Sequence, residues 1–399
     1  MPPTEKLYLD DPYATAFHAK VVHVESHGQR FDVVLDRSFF YPESGGQLAD
    51  AGQLAGSEVV DVREDESGVV VHEVRAETAP DGDVDCRIDW DRRFDHMQQH
   101  TGQHILSRAF IEVAALQTSS FHMGDDACTI DLDGNHFDDA AVAKAEQLAN
   151  RIIENDRTVS VRMVSIDLLD QTELRRKVPA GVTDVRLVEV EEFDSVPCCG
   201  THVRSTGEVR LLKVLKYEKA KGCHRVHFKA GRRALADYNE KHEIVSVLTN
   251  RLTTGADSIT AKVDKLLSDG QTTKKAIKQL SLKLAVVERD LLLAGAQEHN
   301  GVRVVVKVLA DADADYLRVL ATRIQEAGRA VVMLAAADGS VVCAASSDTG
   351  VSLGFVADLA RAMGGSGGGR SGFVQLKLAE GSDMTGFLGT IHDDIKHML

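Results

Sequence analysis

Three histidines stand at every fourth position in the stretch His-Met-Gln-Gln-His-Thr-Gly-Gln-His, as His96, His100 and His104. In a helix that spacing puts consecutive imidazoles one turn apart on one face, close enough for two of them to hold one zinc ion at about 2.0–2.1 Å. The three residues offer two such pairs, and a tetrahedral site needs further ligands from elsewhere. Cys-Cys-Gly-Thr-His at 198–202 supplies them: Cys198 and His202 have the same spacing, join a soft thiolate to an imidazole, and enclose a glycine expected to permit a tight turn. Two such pairs in one chain point to a metal centre, with His96, Cys199 and Cys223 as neighbours. The plainer alternative is a buried free cysteine and helix-exposed histidines. A further stretch, Ser-Gly-Gly-Gln at 44–47, offers backbone amides free of bulky side chains, suited either to close approach by a ligand carbonyl or ribose or simply to a hairpin turn.

These groups need elements to hold them. Residues 1 to about 91 alternate apolar and polar residues in short runs broken by Gly, Asp and Ser, which predicts a small β-rich domain. Helical periodicity takes over across the histidines. A strand at Cys128–Asp133 and an amphipathic helix from Asp138 follow, and the chain returns to strands and loops from about 160 to 230, so 92–235 reads as an α+β domain. Between 236 and 299 apolar residues at Val263, Leu266, Ile277, Leu280, Leu284, Val287 and Leu291 keep a heptad seam, with Gly270 and Thr273 at two of its positions. That segment is a helical linker, paired either with the preceding helix or with a second copy of the chain. Residues 300–399 mix strands and helices in the manner of a separate α/β domain. The fold class is therefore α+β in four segments.

At 399 residues and 43% hydrophobic content the chain can bury several cores. No run approaches the roughly 20 apolar residues of a membrane span, and the first residues carry neither a signal core nor a transit composition, so a cytoplasmic protein without a membrane partner is expected. Six scattered cysteines, two of them adjacent, suit reduced thiols or metal ligands better than a disulfide framework. A net charge of −15 argues against indiscriminate nucleic-acid binding. Locally the balance reverses: Arg204, Arg210, Lys213, Lys216, Lys219, Lys221, Arg225, Lys229, Arg232 and Arg233 face only Glu208 and Glu218 in their own stretch, which favours a polyanion site there over a merely solvated face.

Taken in order, Phe-Phe-Tyr-Pro-Glu-Ser-Gly-Gly-Gln-Leu-Ala-Asp-Ala-Gly (39–52), His-Thr-Gly-Gln-His (100–104), Gln-Thr-Ser-Ser-Phe-His-Met-Gly (117–124) with Thr-Ile-Asp-Leu (129–132), and Cys-Cys-Gly-Thr-His-Val (198–203) with the Ser-Thr-Gly-Glu-Val-Arg-Leu-Leu-Lys-Val that follows, closely resemble the alanyl-tRNA editing family. That family includes the editing domain of alanyl-tRNA synthetase and the freestanding AlaX proteins, and the resemblance extends over roughly residues 5–235. It implies that zinc is held by His100, His104, Cys198 and His202, leaving His96 aside. It also implies that the substrate is alanine-specific tRNA mischarged with serine or glycine. Substrate contacts would fall on Ser38, where the family commonly carries threonine, on Gly45, Gly46 and Gln47, and on Gln117, placed to hold the ester carbonyl or terminal adenosine. Gly-Gly-Ser-Gly-Gly-Gly-Arg at 364–370 resembles the C-terminal domain that follows a helical linker in the synthetases and the long AlaX form. There the implied role is tRNA binding, here through Gly365, Gly367, Gly368, Gly369 and Arg370, and dimerisation; the following Arg-Ser-Gly-Phe-Val departs from the Pro-Asp-Met run common in the synthetases.

The β-rich segment begins almost at residue 1 and no phosphate-loop signature occurs, so the expected activity is correction of charging errors by a freestanding deacylase. A second hydrolytic site is needed because an alanine pocket cannot exclude glycine and rejects serine poorly. Ester hydrolysis asks the site to position water and stabilise a tetrahedral oxyanion. No carboxylate base is evident, which leaves activation to the metal or to the substrate's neighbouring hydroxyl. Two rivals stand beside this reading: an inactive zinc-stabilised tRNA-binding and dimerisation protein, and a hydrolase of a small metabolite.

Overall fold

The computed structural model describes residues 1–134, 137–168, 183–220 and 222–399. Lys221 of the basic stretch lies outside them. The chain forms two compact units, Met1–Val247 and Leu248–Leu399. Both mix helices with mainly antiparallel sheets, in keeping with the α+β class. No helix among the described residues is long and apolar enough to cross a membrane.

The first unit opens with β1 (Glu5–Lys6), β2 (Ala16–Ser26), β3 (Arg30–Leu35), β4 (Arg37–Ser38), β5 (Gly52–Leu54), β6 (Ser57–Glu64), β7 (Val70–Arg75) and β8 (Asp83–Ile88). Six of these strands close a barrel in the order β2-β3-β7-β6-β5-β8. Closure explains the alternating sequence: Val33, Leu35, Leu54, Val59, Val62 and Val74 point inward and fill the interior, while most intervening residues, Val34 excepted, are more exposed.

Two polar side chains meet in that interior, His72 and Ser38. His72 is fully buried; its Nδ1–H donates to the Val33 carbonyl at 3.0 Å, and its Nε2 accepts from the Ser38 hydroxyl at 2.8 Å. Burial pushes its pKa down to about 4, so the folded ring stays neutral where an unfolded histidine takes up a proton. The unfolded state therefore binds more protons between about pH 6.5 and 4, and stability must fall as pH falls through that window. Replacing His72 with Gln is expected to remove about 2 kcal/mol of the stability lost between pH 6.5 and 5, as measured by denaturant titrations at the two pH values.

After the barrel, α1 (Trp90–Ala114) starts at Asp89, whose carboxylate accepts the Arg92 N–H at 3.1 Å. Every residue from His96 to Ser107 is buried. A helix this polar can run through a core only if its side chains find partners. Gln98 donates to the Glu208 carbonyl at 2.7 Å, and Gln99 both donates to and accepts from the Ala230 backbone at 2.8 and 2.9 Å. Then come β9 (Gln117–Met123), β10 (Cys128–Asp133), α2 (Asp139–Glu154), β11 (Val159–Ser165), β12 (Asp184–Val190), β13 (Asp194–Pro197), β14 (Leu212–Ala220), β15 (Cys223–Ala230) and α3 (Gly231–Leu252). The sheet β14-β15-β10-β9 shares one core with α1 and α2, in which Met97, Ile105, Phe110, Ile130, Ile152 and Phe228 meet. A separate sheet, β11-β12-β13, delivers the chain directly to Cys198.

The basic stretch is not the bare cationic face that its local sequence predicts. Arg225 makes two bonds to Asp131 at 2.7 and 2.8 Å, and Lys213, Lys229, Arg232 and Arg233 pair with Glu146, Asp126, Asp91 and Asp95. Arg204 and Lys216 make longer pairs with Asp11 and Glu218, both at 3.9 Å. Most of the neutralising acids come from distant parts of the chain, which a count along one stretch cannot see.

In the second unit α4 (Ile259–Ala294) precedes β16 (Gln297–His299), β17 (Val302–Leu309), α5 (Ala314–Glu326), β18 (Ala330–Ala336), β19 (Ser340–Ala345), α6 (Gly354–Ala362), β20 (Ser366–Arg370), β21 (Phe373–Lys377) and α7 (Met384–Met398). The strands form one sheet, β16-β17-β18-β19-β21-β20, in which only β17 and β18 run parallel. All of β18 is buried, Val331, Met333 and Ala335 entering one core and Val332, Leu334 and Ala336 the other. That two-sided burial is why its sequence is a continuous apolar run. The glycine run forms edge strand β20, exposed throughout and antiparallel to β21. A β-carbon at position 369 would stand 2.1 Å from the Phe373 carbonyl oxygen, so glycine is what lets this strand lie flat on its neighbour. Along α4 the seam residues Val263, Leu266, Ile277, Leu280, Leu284, Val287 and Leu291 are all exposed.

Candidate metal centre

Of the three helical histidines the fold brings two to the Cys-x-x-x-His pair. His100, His104, Cys198 and His202 each offer one ligand atom, and these atoms lie within 4.8 Å of one another. Cys198 Sγ is 3.5 Å from His100 Nε2 and 3.4 Å from His202 Nε2. A tetrahedron built on nitrogen at about 2.0–2.1 Å and sulfur at about 2.3 Å spaces its corners roughly 3.3–3.8 Å apart, so this donor set fits one ion. The Cys198–His202 approach is a local consequence of four-residue spacing in the loop after β13, as is the meeting of His100 and His104 on α1, ring centroids 5.1 Å apart; the Cys198–His100 approach, across 98 residues, is made by the tertiary fold.

The donors are aimed by a further layer of polar contacts. His100 donates from Nδ1 to Gln47 Oε1 at 2.7 Å, which turns Nε2 toward Cys198; Gln47 in turn donates to Thr201 Oγ1 at 2.8 Å and accepts the Thr201 N–H at 3.2 Å. His202 Nδ1 donates to Thr101 Oγ1 at 3.1 Å. The Gly200 N–H donates to Cys198 Sγ at 3.3 Å, the polarity a thiolate requires. Gly200 is there for a reason other than a tight turn: a β-carbon would come within 2.1 Å of the His100 ring, which lies against it. On its other side His100 stacks on Phe121, ring centroids 5.4 Å apart. Gln47→Leu should free the Nδ1 side of His100 and lower metal affinity about 10- to 100-fold, measured by competition with a chromogenic chelator.

His96 takes no part. It is buried one turn before the pair, and desolvation, reinforced by Arg92, Arg233 and Arg93, pushes its pKa down to about 3. Next to the donor cluster is a cavity of about 120 Å³, walled by Tyr41, Gly45, Gln103, Thr118, Phe121 and Cys199 together with three of the four donors. The other residues expected at the substrate divide. Gly46 packs its backbone against β9, where its carbonyl accepts the Met123 N–H at 2.9 Å, and Gln47 is the buried support of His100. Ser38 is fully buried in the barrel, its hydroxyl bonded to His72 and to the Phe40 N–H, and does not reach the cavity wall. Gln117 is exposed at the start of β9, and it is the next residue, Thr118, that faces the cavity. Thr101, Thr201 and Tyr41 are positioning or wall residues that spacing rules pass over, although all three lie inside the quoted motifs. Gly365 to Arg370 belong to the second unit; Gly367 to Arg370 lie on the exposed edge strand of its sheet, and Gly365 leads into it.

Family descriptions match three parts of the chain: "tRNA synthetases class II (A)" over residues 12–92, "Threonyl and Alanyl tRNA synthetase second additional domain" over 185–227, and "DHHA1 domain" over 301–397. The chain is 37% identical to the alanyl-tRNA editing protein AlaX-L of Pyrococcus horikoshii over 246 residues, 59% of this chain and 60% of that one. It is 33% identical to an alanine–tRNA ligase of Archaeoglobus fulgidus over 94% of its own length and 42% of the ligase. It is also 33% identical to the alanyl-tRNA editing protein Aarsd1 of Rattus norvegicus, over 70% of each chain. It thus spans less than two thirds of the length of the first two relatives.

Proposed function

The chain belongs to the alanyl-tRNA editing protein family, and from that premise we propose that it is a freestanding aminoacyl-tRNA deacylase that hydrolyses the seryl or glycyl ester of alanine tRNA. The observation that carries the reading is the meeting of His100, His104, Cys198 and His202 beside a small polar cavity. Three imidazoles and a thiolate suit zinc better than the oxygen-loving cations. Zinc bound there would supply positive charge for an ester carbonyl or for the oxyanion that develops from it.

The chain's own residues do the rest. Gln47 and Thr101 fix the tautomers of His100 and His202, each holding an Nδ1–H so that Nε2 is left free to bind metal. Gly45 and Thr118 border the space for the aminoacyl group, and Phe121 closes it beside His100. Hydrolysis adds the oxygen of water to the ester carbonyl carbon, breaks the bond to the ribose oxygen, and leaves that oxygen protonated. Among the described residues no carboxylate lines the cavity, so the vicinal ribose hydroxyl is the nearest candidate to relay the proton. The protein acts in the cytoplasm as the four segments 1–91, 92–235, 236–299 and 300–399, the last presenting Gly365, Gly367, Gly368, Gly369 and Arg370 to tRNA. The exposed heptad seam of α4 supports a homodimer formed through the linker or C-terminal domain.

The test is release of amino acid from seryl-, glycyl- and alanyl-tRNA, all on alanine tRNA, by zinc-loaded protein. Rapid loss of the seryl or glycyl ester with the alanyl ester spared is the expected result. Tight binding of the mischarged tRNA without release would instead favour a binding and dimerisation module.

A further inference from the structure

Arg186, on β12, is a buried guanidinium whose hydrogen bonds go to backbone instead of to a carboxylate. The residue is 7% exposed. Nη1 donates to the Cys198 carbonyl at 2.7 Å and to the Gly200 carbonyl at 3.1 Å, and Nη2 donates to the Leu9 carbonyl at 3.3 Å. Burying a guanidinium is costly unless the surroundings answer its charge. Here a fixed cation is buried directly behind the loop that carries the thiolate and the Gly200 face on which His100 lies.

The geometry is specific to arginine. One nitrogen, Nη1, takes both carbonyls of residues 198 and 200 while the second, Nη2, held rigidly coplanar with it, reaches Leu9; the single ammonium of lysine cannot reproduce that spread. The Leu9 bond adds the amino-terminal segment to the same clamp. Beside Leu9, Tyr8 packs edge-on against Tyr41 at 5.3 Å between centroids, and Tyr41 is part of the cavity wall.

We propose that Arg186 is a positioning residue of the metal centre, holding the Cys198–Gly200 turn and the amino-terminal segment in the ligating arrangement before the ion binds. The inference rests on the metal reading of the four-donor cluster. Nothing in its sequence context marks this arginine out, because its partners are carbonyls 12 and 14 residues ahead and one 177 residues behind.

The experiment compares the full-length wild type with Arg186→Lys and Arg186→Met by zinc competition against a chelator and by cobalt substitution, reading the thiolate-to-cobalt absorption and the ligand-field bands. Folding of each variant is verified by circular dichroism. Both variants should bind zinc about 10- to 100-fold more weakly and give altered cobalt bands, with Lys closer to Met than to the wild type. Added zinc should restore a corresponding part of the deacylation lost. Wild-type zinc affinity and cobalt bands in a folded Arg186→Lys protein would overturn the proposal even if its melting temperature fell, and that variant decides if Arg186→Met does not fold. A wild-type protein that takes up neither ion would overturn the metal reading itself and not the role of Arg186 alone.

Discussion

Cys198→Ala is expected to weaken zinc binding at least a hundredfold and to bring deacylation down with it. The size follows from ligand number. Structural zinc sites with four protein ligands bind with about 10–16 kcal/mol, so one ligand carries roughly 3–4 kcal/mol if the share is even, which is a factor of several hundred. Cys198 stands to lose more than an average share, since it is the anionic member and lies 3.4–3.5 Å from two of its partners. His104→Ala should lose a similar amount without touching the loop after β13. Cys199→Ala is the internal control: its thiol is exposed and outside the four-donor set, so metal affinity should stay at the wild-type level. The measurement is chelator competition, checked by the rise in melting temperature on adding zinc, which should be large for the wild type and small for Cys198→Ala because only the folded site binds. Equal zinc affinity in Cys198→Ala and the wild type would remove the thiolate from the site.

The ligand pairs were legible because four-residue spacing is a local property: a helix turn or a short loop carries both members of each pair together wherever the rest of the chain goes. Which of His96 and His104 joins His100 was not local, and the periodicity alone left it open. The contacts that aim the ligands were harder still. Gln47 stands 53 residues from His100, and in the sequence it reads as part of a glycine turn suited to a substrate. Ser38 looked available because a serine on a short strand gives no sign of whether it faces into a closed barrel. The basic stretch misled for the same reason in reverse, since Asp91, Asp95, Asp126 and Asp131 arrive from α1 and the segment after it. Glycine's poor strand propensity hid β20, whose pairing depends on the absence of side chains. The barrel strands, the long helices and β18 were readable because their burial leaves periods of two, 3.6 or none in the sequence.

Removing one member of the Arg93–Asp50 pair should destabilise the first unit by about 3–5 kcal/mol, enough to consume a large part of a typical domain's stability. Both side chains are 0% exposed. Arg93 donates from Nε to both oxygens of Asp50 at 3.0 Å, from Nη1 to the Pro12 carbonyl at 2.7 Å and from Nη2 to the Phe39 carbonyl at 2.5 Å, while the Tyr41 N–H donates to Asp50 Oδ2 at 2.6 Å. Arg93→Met strands a buried carboxylate with one backbone donor, and Asp50→Leu strands a buried guanidinium. Arg93→Met/Asp50→Leu leaves no orphan charge, so it should be less destabilised than the sum of the single variants, although the Pro12 and Phe39 carbonyls still lose their donor at about 1–3 kcal/mol each. Trp90, the only tryptophan, lies on α1 one turn before Arg93 and against Tyr13 and Phe94, so its emission follows unfolding of this unit in a denaturant titration. The consequence reaches the metal centre. Arg93 is two turns before His100 on α1, and its partners Phe39 and Asp50, with Tyr41 bonded to Asp50, flank the turn that carries Gln47, so the pair sets where His100 meets its support. A folded Arg93→Lys protein should therefore bind zinc more weakly than its loss of stability alone accounts for. If stability falls and zinc affinity does not, the pair serves the fold alone and the placement of α1 against Gln47 is fixed by packing.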